Sequence, residues 1–149
     1  MTSDFDELEE LVMADMREHY SEKVIEHFLN PRNVGEIQNA DGFGKVIGSC
    51  GDTMEIYLKI KDDRLINASF LTDGCGASIA CGSMVTEMAK GKSILEAQKI
   101  TQQDVLNALG SLPEESIHCA LLVANTLKEA IRDYLSLKNE PWKRAYRRY

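Results

Sequence analysis

A run of alternating apolar and polar residues in the middle of the chain restricts its fold more than any other feature. Residues 54–61 read Met-Glu-Ile-Tyr-Leu-Lys-Ile-Lys, which is the period of a strand with one buried face. After Asp62-Asp63-Arg64, residues 65–70 alternate in the same way. Two such runs joined by a short turn predict adjacent antiparallel strands.

The apolar faces of these two strands coincide when the numbers of opposed residues sum to about 126. That register predicts three inward pairs, Ile60 with Ile66, Leu58 with Ala68, and Ile56 with Phe70. Continued down the ladder, it places Cys50 opposite residue 76, one step from Cys75. Because directly opposed residues lie about 4.5–5.5 Å apart at Cβ, we expect these two cysteines to meet in space.

The segments on either side of the strands have helical spacing. Apolar residues recur every three or four positions over 5–29, and either two helices or one bent helix fits this pattern. Asn30-Pro31 ends it. A further short strand is predicted at Lys45–Gly48, and helices are predicted at 77–90, 94–97 and 104–109.

A longer helix closes the chain. Ser111-Leu112-Pro113-Glu114 has the pattern of a helix start, with a serine cap and an early proline. Its apolar face is predicted to contain Ile117, Ala120, Leu121, Ala124, Leu127, Ile131 and Leu135. The expected fold class is therefore α+β, a three-stranded, mainly antiparallel sheet with helices packed on one face, an N-terminal helix and a long C-terminal helix.

The bulk composition excludes several classes of function. The chain has 149 residues, the size of one domain, and its longest strongly apolar run, 120–124, is far shorter than the roughly 20 residues of a membrane span. The acidic N-terminus lacks a signal-peptide pattern, so we expect a cytoplasmic protein with no membrane partner. A net charge of −7 disfavours nucleic-acid binding.

The charge is concentrated at the two ends. Residues 1–20 contain seven acidic residues against one arginine, a net charge of −6, and residues 138–149 contain five basic residues against one glutamate, a net charge of +4. Such ends are either solvated tails or docking surfaces.

Four cysteines, Cys50, Cys75, Cys81 and Cys119, occur in the chain, and a reducing compartment favours metal or redox chemistry over disulfides. The candidate constellation comprises Cys50, Asp52, Cys75, His118 and Cys119, each near the end of a predicted element. Three thiolates with a carboxylate or an imidazole suit Zn²⁺ or an iron–sulfur cluster. The alternative is that the cysteines fill the core and His118 pairs with a carboxylate.

Several motifs together resemble one family. They are His19 to Gly35 ("HYSEKVIEHFLNPRNVG"), "CGD" at 50–52, "GCGASIA" at 74–80, "KGKSILEA" at 90–97 and "HC" at 118–119. In order and spacing they resemble the IscU and NifU N-terminal family of U-type scaffolds for iron–sulfur cluster assembly, over residues 19–136. The resemblance implies a scaffold domain at 19–137, and we expect an acidic extension at 1–18 and a basic tail at 138–149 outside it.

The resemblance also implies roles for the candidate residues. A cysteine desulfurase delivers sulfur to Cys119 as a persulfide, and a transient [2Fe–2S] cluster forms on Cys50, Cys75 and Cys119. Asp52 makes the cluster labile, and Asp52 or His118 is the fourth ligand. The other implied partners are an iron and electron donor and apo acceptor proteins; self-association is left open. The protein is expected to be a carrier rather than an enzyme.

Two departures from the family pattern bear on these roles. Leu112-Pro113-Glu114-Glu115-Ser116 stands where chaperone-using members have Leu-Pro-Pro-Val-Lys, which calls chaperone-driven release into question. Cys81 stands where relatives commonly have serine, and we expect it to be core filler. The 44 residues from Cys75 to Cys119 leave no room for the insertion of the zinc-dependent SufU branch.

Two other functions use the same residues. In the first, the five candidate ligands hold one Zn²⁺ in a sulfur-acceptor protein. In the second, the chain is an adaptor that binds no metal, and its cysteines can be changed without loss of partner function. Metal analysis after anaerobic purification, followed by cluster reconstitution, separates all three.

Overall fold

A computed structural model describes residues 4–146. Three strands, β1 (Gly42–Ile47), β2 (Thr53–Lys61) and β3 (Arg64–Thr72), follow two helices, α1 (Asp4–His19) and α2 (Glu22–Leu29). Four more helices follow the strands: α3 (Gly76–Ala89), α4 (Ile94–Gln98), α5 (Gln102–Leu109) and α6 (Ile117–Asn139). Short 3-10 helices span Glu114–Ser116 and Pro141–Tyr146.

The strands form one antiparallel sheet in the order β1-β2-β3, which confirms the expected fold class. Helices α3 and α6 pack on the sheet, α3 against β3 and α6 against β1 and β2. Gly44 allows β1 to approach α6 closely, since a Cβ there would lie 2.5 Å from the Thr126 carbonyl oxygen. At the other edge, Asn33 and Gly35 make backbone hydrogen bonds to Phe70.

The predicted register of the β2–β3 hairpin is right at one end and wrong at the other. Ile56 pairs with Phe70 and Leu58 with Ala68, as predicted. Ile60, however, pairs with Leu65 rather than with Ile66. A bulge therefore reverses the predicted faces at the turn: Leu65 is fully buried, whereas Ile66 is 54% exposed.

The shift has its cause in the turn. Asp62 and Asp63 have φ values of 54° and 57°, the left-handed conformation that a two-residue hairpin turn of type I′ requires at both central positions. This turn sets Lys61 opposite Arg64, one residue out of register with the rest of the ladder. The β-bulge accommodates the extra residue.

The predicted continuation of the ladder to Cys50 is also wrong. Strand β2 begins at Thr53, and residues 48–52 form the loop between β1 and β2. Gly51, with φ of 85°, allows this loop to close on itself through hydrogen bonds from Gly48 N to the Asp52 carbonyl and from Gly51 N to the Gly48 carbonyl. Cys50 therefore lies in a turn rather than opposite residue 76.

The N-terminal helical pattern forms two helices, one of the two predicted alternatives. Ser21 begins α2, and its side chain accepts a hydrogen bond from Val24 N. Helix α2 buries Val24 and Ile25, whereas α1 has no buried residue. The apolar stripe of the first segment is therefore largely exposed.

Helix α6 starts later than predicted. Pro113 is extended, with ψ of 150°, and a 3-10 turn at Glu114–Ser116 precedes the helix, so Ser111 does not cap it. His118 and Cys119 lie in the first turn of α6, as predicted. Leu121, placed on the apolar face, is 44% exposed, and Leu122 and Val123 are buried instead. Within residues 4–146, no helix is long and apolar enough to cross a membrane.

Candidate functional site

Three cysteines reach the same end of the sheet from three different elements. Cys50 lies in the β1–β2 loop, Cys75 is the N-cap residue of α3, and Cys119 is the third residue of α6. Cys50 and Cys75 are exposed, whereas Cys119 is only 1% exposed. The site thus has one buried thiol beneath two accessible ones.

Hydrogen bonds between β2 and β3 fix the segment before Cys75. The Thr72 hydroxyl donates to the Thr53 carbonyl and accepts from Gly74 N. The Asp73 carboxylate accepts from Thr53 N. These bonds attach residues 72–74 to the start of β2, directly after Asp52. The Cys75 and Cys50 segments therefore lie side by side because of these bonds, and not because the β2–β3 ladder continues to them.

Ser78 occupies the centre of the site. It is fully buried in the first turn of α3, with its Oγ 3.4 Å from Cys119 Sγ and 3.5 Å from Asp52 Oδ2. Gly74 leaves space for it, since a Cβ at Gly74 would lie 2.5 Å from Ser78 Oγ and 3.0 Å from Asp52 Oδ2. The sequence analysis missed Ser78; its position three residues after Cys75, on the same helix face, was the available signal.

The electrostatic surroundings of Cys119 include the other candidate ligands. Burial raises the pKa of the Cys119 thiol, the hydrogen bond with Ser78 opposes that rise, and Cys75, Asp52 and Cys50 raise the pKa further. His118 Nε2 lies 3.7 Å from Cys119 Sγ. The other four predicted residues are therefore grouped around the buried sulfur of Cys119.

The five residues do not form a closed metal shell. Within residues 4–146, the only group of three or more His, Cys, Asp or Glu ligand atoms lying within 4.8 Å of one another is Asp15, Glu18 and His19, exposed on α1. The thiols are more widely spaced. The side chains are nevertheless of the types that bind soft metal ions, since three thiols from separate elements converge beside a carboxylate and an imidazole.

Cys81 lies in the hydrophobic core, as expected. It is completely buried in α3, and this burial, with Cys119 and Cys75 nearby, raises the pKa of its thiol well above the ordinary range. A thiol held neutral in this way is a poor ligand and nucleophile. It offers a natural control for the other three cysteines.

Comparisons with known proteins agree with the resemblance found in the motifs. The NifU-like N terminal domain family matches residues 19–141. Iron-sulfur cluster assembly scaffold protein IscU 1 of Archaeoglobus fulgidus is 56% identical over 116 residues, covering 77% of this chain and 76% of its own. The IscU scaffold protein of Escherichia coli is 48% identical over 122 residues, covering 78% and 94%.

A solved structure shows the same fold. The N-terminal part of a nitrogen-fixing NifU-like protein from Brucella abortus superposes with a TM-score of 0.62 at 19% identity, covering 81% of this chain and 97% of that one. The family match covers most of this chain, and its relatives share about half of their residues with it. The chain belongs to the NifU-like N-terminal domain family.

Proposed function

We propose that this protein is a scaffold on which iron–sulfur clusters are assembled and from which they are passed on. The observation that carries the proposal is the convergence of Cys50 and Cys75 on buried Cys119, with Asp52 and His118 beside it. Relatives about half identical to this chain are named iron-sulfur cluster assembly scaffold proteins, which supports it. In this role the chain carries cargo and is not an enzyme.

The first step is sulfur transfer to Cys119. The Cys119 thiolate attacks the outer sulfur of a persulfide on a cysteine desulfurase, so that a new S–S bond forms while the old one breaks and the desulfurase leaves as a thiolate. Reducing this sulfur to sulfide takes two electrons from an electron-donor partner and restores the Cys119 thiolate. Because Cys119 is only 1% exposed, the loops above it must open for the transfer.

The second step binds iron. Thiolates of Cys50, Cys75 and Cys119 supply three ligands of a transient [2Fe–2S] cluster, and Asp52 or His118 supplies the fourth. A carboxylate holds iron less tightly than a thiolate, which suits cargo that must be released to apo acceptor proteins.

The same donor set also suits one Zn²⁺, and a zinc-binding sulfur acceptor is the competing function. Reconstitution distinguishes the two. Metal-free protein is incubated anaerobically with desulfurase, cysteine, ferrous iron and a reductant, and visible absorption, iron, sulfide and zinc are measured. The scaffold predicts colour with iron and sulfide in equal amounts.

Alanine variants of the cysteines provide the matched comparison. Cys50→Ala, Cys75→Ala and Cys119→Ala should each abolish the stable colour, whereas Cys81→Ala, in the core, should keep it. Protein that binds one zinc and never acquires a cluster would contradict the scaffold and favour the zinc alternative. Equal loss in all four variants would contradict the ligand assignment.

The remaining sequence-based expectations belong to the same proposal. We infer a cytoplasmic location, since the site needs reduced thiols. The acidic segment 1–18 and the basic segment 138–149 flank a scaffold domain at 19–137 and provide charged surfaces outside it.

A further inference from the structure

We propose that the acidic helix α1 docks the basic C-terminal segment of a second copy of this chain, so that copies associate head to tail. The basic segment is residues 138–149. This association is separate from the proposed scaffold function, since neither α1 nor the basic segment contains any of the five candidate ligands.

An apolar stripe runs along α1 and extends past the body of the protein. Positions 5, 8, 12, 16 and 20 fall on one helix face because they are spaced by three or four residues. Met16 and Tyr20 line an apolar groove with α2 and the start of α3. Phe5, Leu8 and Val12, by contrast, are each more than half exposed. An exposed apolar face of this kind is typical of an interaction site.

The charges beside the stripe restrict what can cover it. Residues 1–20 have a net charge of −6, and by helical position Asp15 lies on one side of the stripe and Glu9 on the other. A second α1 laid against the first would bring two acidic surfaces together, and like charges repel. A basic segment with large apolar side chains gains from charge attraction at the rim and from burial at the centre.

The chain itself carries one segment with that chemistry. Residues 138–149 have a net charge of +4 and include one tryptophan and two tyrosines. Within this segment a 3-10 helix spans Pro141–Tyr146, and its Trp142 is 67% exposed. Tryptophan, tyrosine and arginine are the residue types that contribute most to binding at interfaces. The basic segment therefore complements the α1 stripe in both charge and apolar character.

The two segments begin at opposite ends of the sheet, which favours a contact between copies over one within a copy. The last turn of α1 lies beside Gly76 and Ala77, at the end of the sheet that holds the cysteines. The basic segment starts at Lys138, whose ammonium group donates to the Asp63 carboxylate in the β2–β3 turn, at the other end. Such a head-to-tail contact is heterologous, so a pair of copies keeps one unoccupied α1 and one unoccupied basic segment.

The strength of this association should be low and should depend on salt. An interface built on three apolar residues and one tryptophan belongs to the weak class, below about 1,200 Å². The Debye length falls from about 10 Å at 0.1 M salt to about 3 Å at 1 M, which screens attraction between exposed charges. High salt should therefore weaken the association at least about fivefold. Pairing of two α1 helices predicts the opposite, since salt would screen their repulsion.

Sedimentation velocity of the full-length chain measures the association. Protein concentrations span about 1 μM to 1 mM, at about 0.1 M and about 1 M NaCl. The protein is metal-free and reduced, so that neither a metal ion nor the exposed thiols of Cys50 and Cys75 can link copies. The average mass should rise with protein concentration at low salt, and the rise should move to higher concentration at high salt.

Two variants, each with one defective segment, provide the decisive comparison. The α1 variant combines Leu8→Glu with Val12→Glu, and the tail variant combines Trp142→Ala with Arg147→Glu and Arg148→Glu. Each variant alone should associate at least about tenfold more weakly than the parent. An equal mixture should form a one-to-one dimer and nothing larger, because only one intact α1 meets one intact basic segment.

A matched control replaces an exposed leucine elsewhere. Leu95→Glu, on α4, should associate as the parent does, and circular dichroism checks that every variant keeps its helices. A parent that stays monomeric throughout would overturn the proposal, whether the basic segment closes on its own α1 or another protein covers the stripe. A tail variant that associates like the parent, or a mixture that stays monomeric, would also overturn it. Because no cluster is built, these outcomes are independent of whether reconstitution succeeds.

Discussion

The bulge in the β2–β3 hairpin predicts which of two neighbouring residues contributes more to stability. The predicted order is the reverse of the one expected from the sequence. Leu65 is fully buried and Ile66 is 54% exposed. Truncating a buried leucine to alanine costs about 2–5 kcal/mol, through lost transfer free energy and the cavity left behind. Ile66→Ala, on the exposed face of a strand, should cost at most about 1 kcal/mol.

Urea unfolding followed by circular dichroism measures both variants. With an m-value of about 2 kcal/mol/M, a loss of about 3 kcal/mol lowers the unfolding midpoint by about 1.5 M for Leu65→Ala. Ile66→Ala should shift it by less than about 0.5 M. The two neighbouring truncations, Leu65→Ala and Ile66→Ala, serve as controls for each other. Ala68→Gly would be a poor control, because it also changes the conformational freedom of the backbone.

The continuous register predicted from the alternating pattern gives the reverse order, with Ile66 inward and Leu65 outward. A larger midpoint shift for Ile66→Ala would therefore refute the bulge. It would also refute the physical cause assigned to it, the left-handed turn at Asp62 and Asp63.

Three other predictions address the site and its support. Asp52→Ala should give a cluster that persists longer under chelator challenge, measured by visible absorption after reconstitution; loss as fast as in the parent would contradict the labilising role. Gly44→Ala should lower the unfolding free energy by about 1–3 kcal/mol, since the new methyl group would meet the α6 backbone at 2.5 Å. His27 is buried against the Ser83 hydroxyl, and burial, with the charge of Arg32, lowers its pKa in the folded protein. As the pH falls below about 6.5, the unfolded chain therefore binds a proton on His27 before the folded protein does, and the folded protein loses stability. Urea unfolding at pH 7.5 and 5.5 should show this loss in the parent protein and a smaller loss in His27→Gln.

The sequence was sufficient to predict those elements of the fold that depend on a single local physical requirement. Alternation over 54–61 predicts a strand because only one face can be buried, and Asn30-Pro31 ends a helix because of the restricted backbone before proline. It was insufficient at the turn, where Leu65 and Ile66 are both apolar and either can face inward. Only the turn conformation decides between them.

The candidate site, like the fold, was only partly predictable from the sequence. The nearness of the Cys50 and Cys75 segments was expected for the wrong reason, because hydrogen bonds of Thr53 to residues 72 and 73 bring the segments together rather than a continuous ladder. Ser78 was not found because its one sequence signal, the spacing of three residues from Cys75, does not show which other residues lie beside it. Its place in the site is set by the tertiary structure, which brings Asp52 and Cys119, 26 and 41 residues away, beside it.

The unequal exposure of the three thiols bears on how such a site could release what it holds. Cys119 is fixed in the first turn of α6 with Ser78 and His118 beside its sulfur, whereas Cys50 and Cys75 are exposed on loop segments. Binding that draws both exposed thiols inward must disturb the hydrogen bonds that hold residues 48–52 and 72–74, and each bond lost costs about 0.5–1.5 kcal/mol. That cost lowers the affinity for the cargo without weakening any metal–sulfur bond. In the proposed scaffold, this rearrangement and the weak carboxylate ligand Asp52 therefore act in the same direction, toward release.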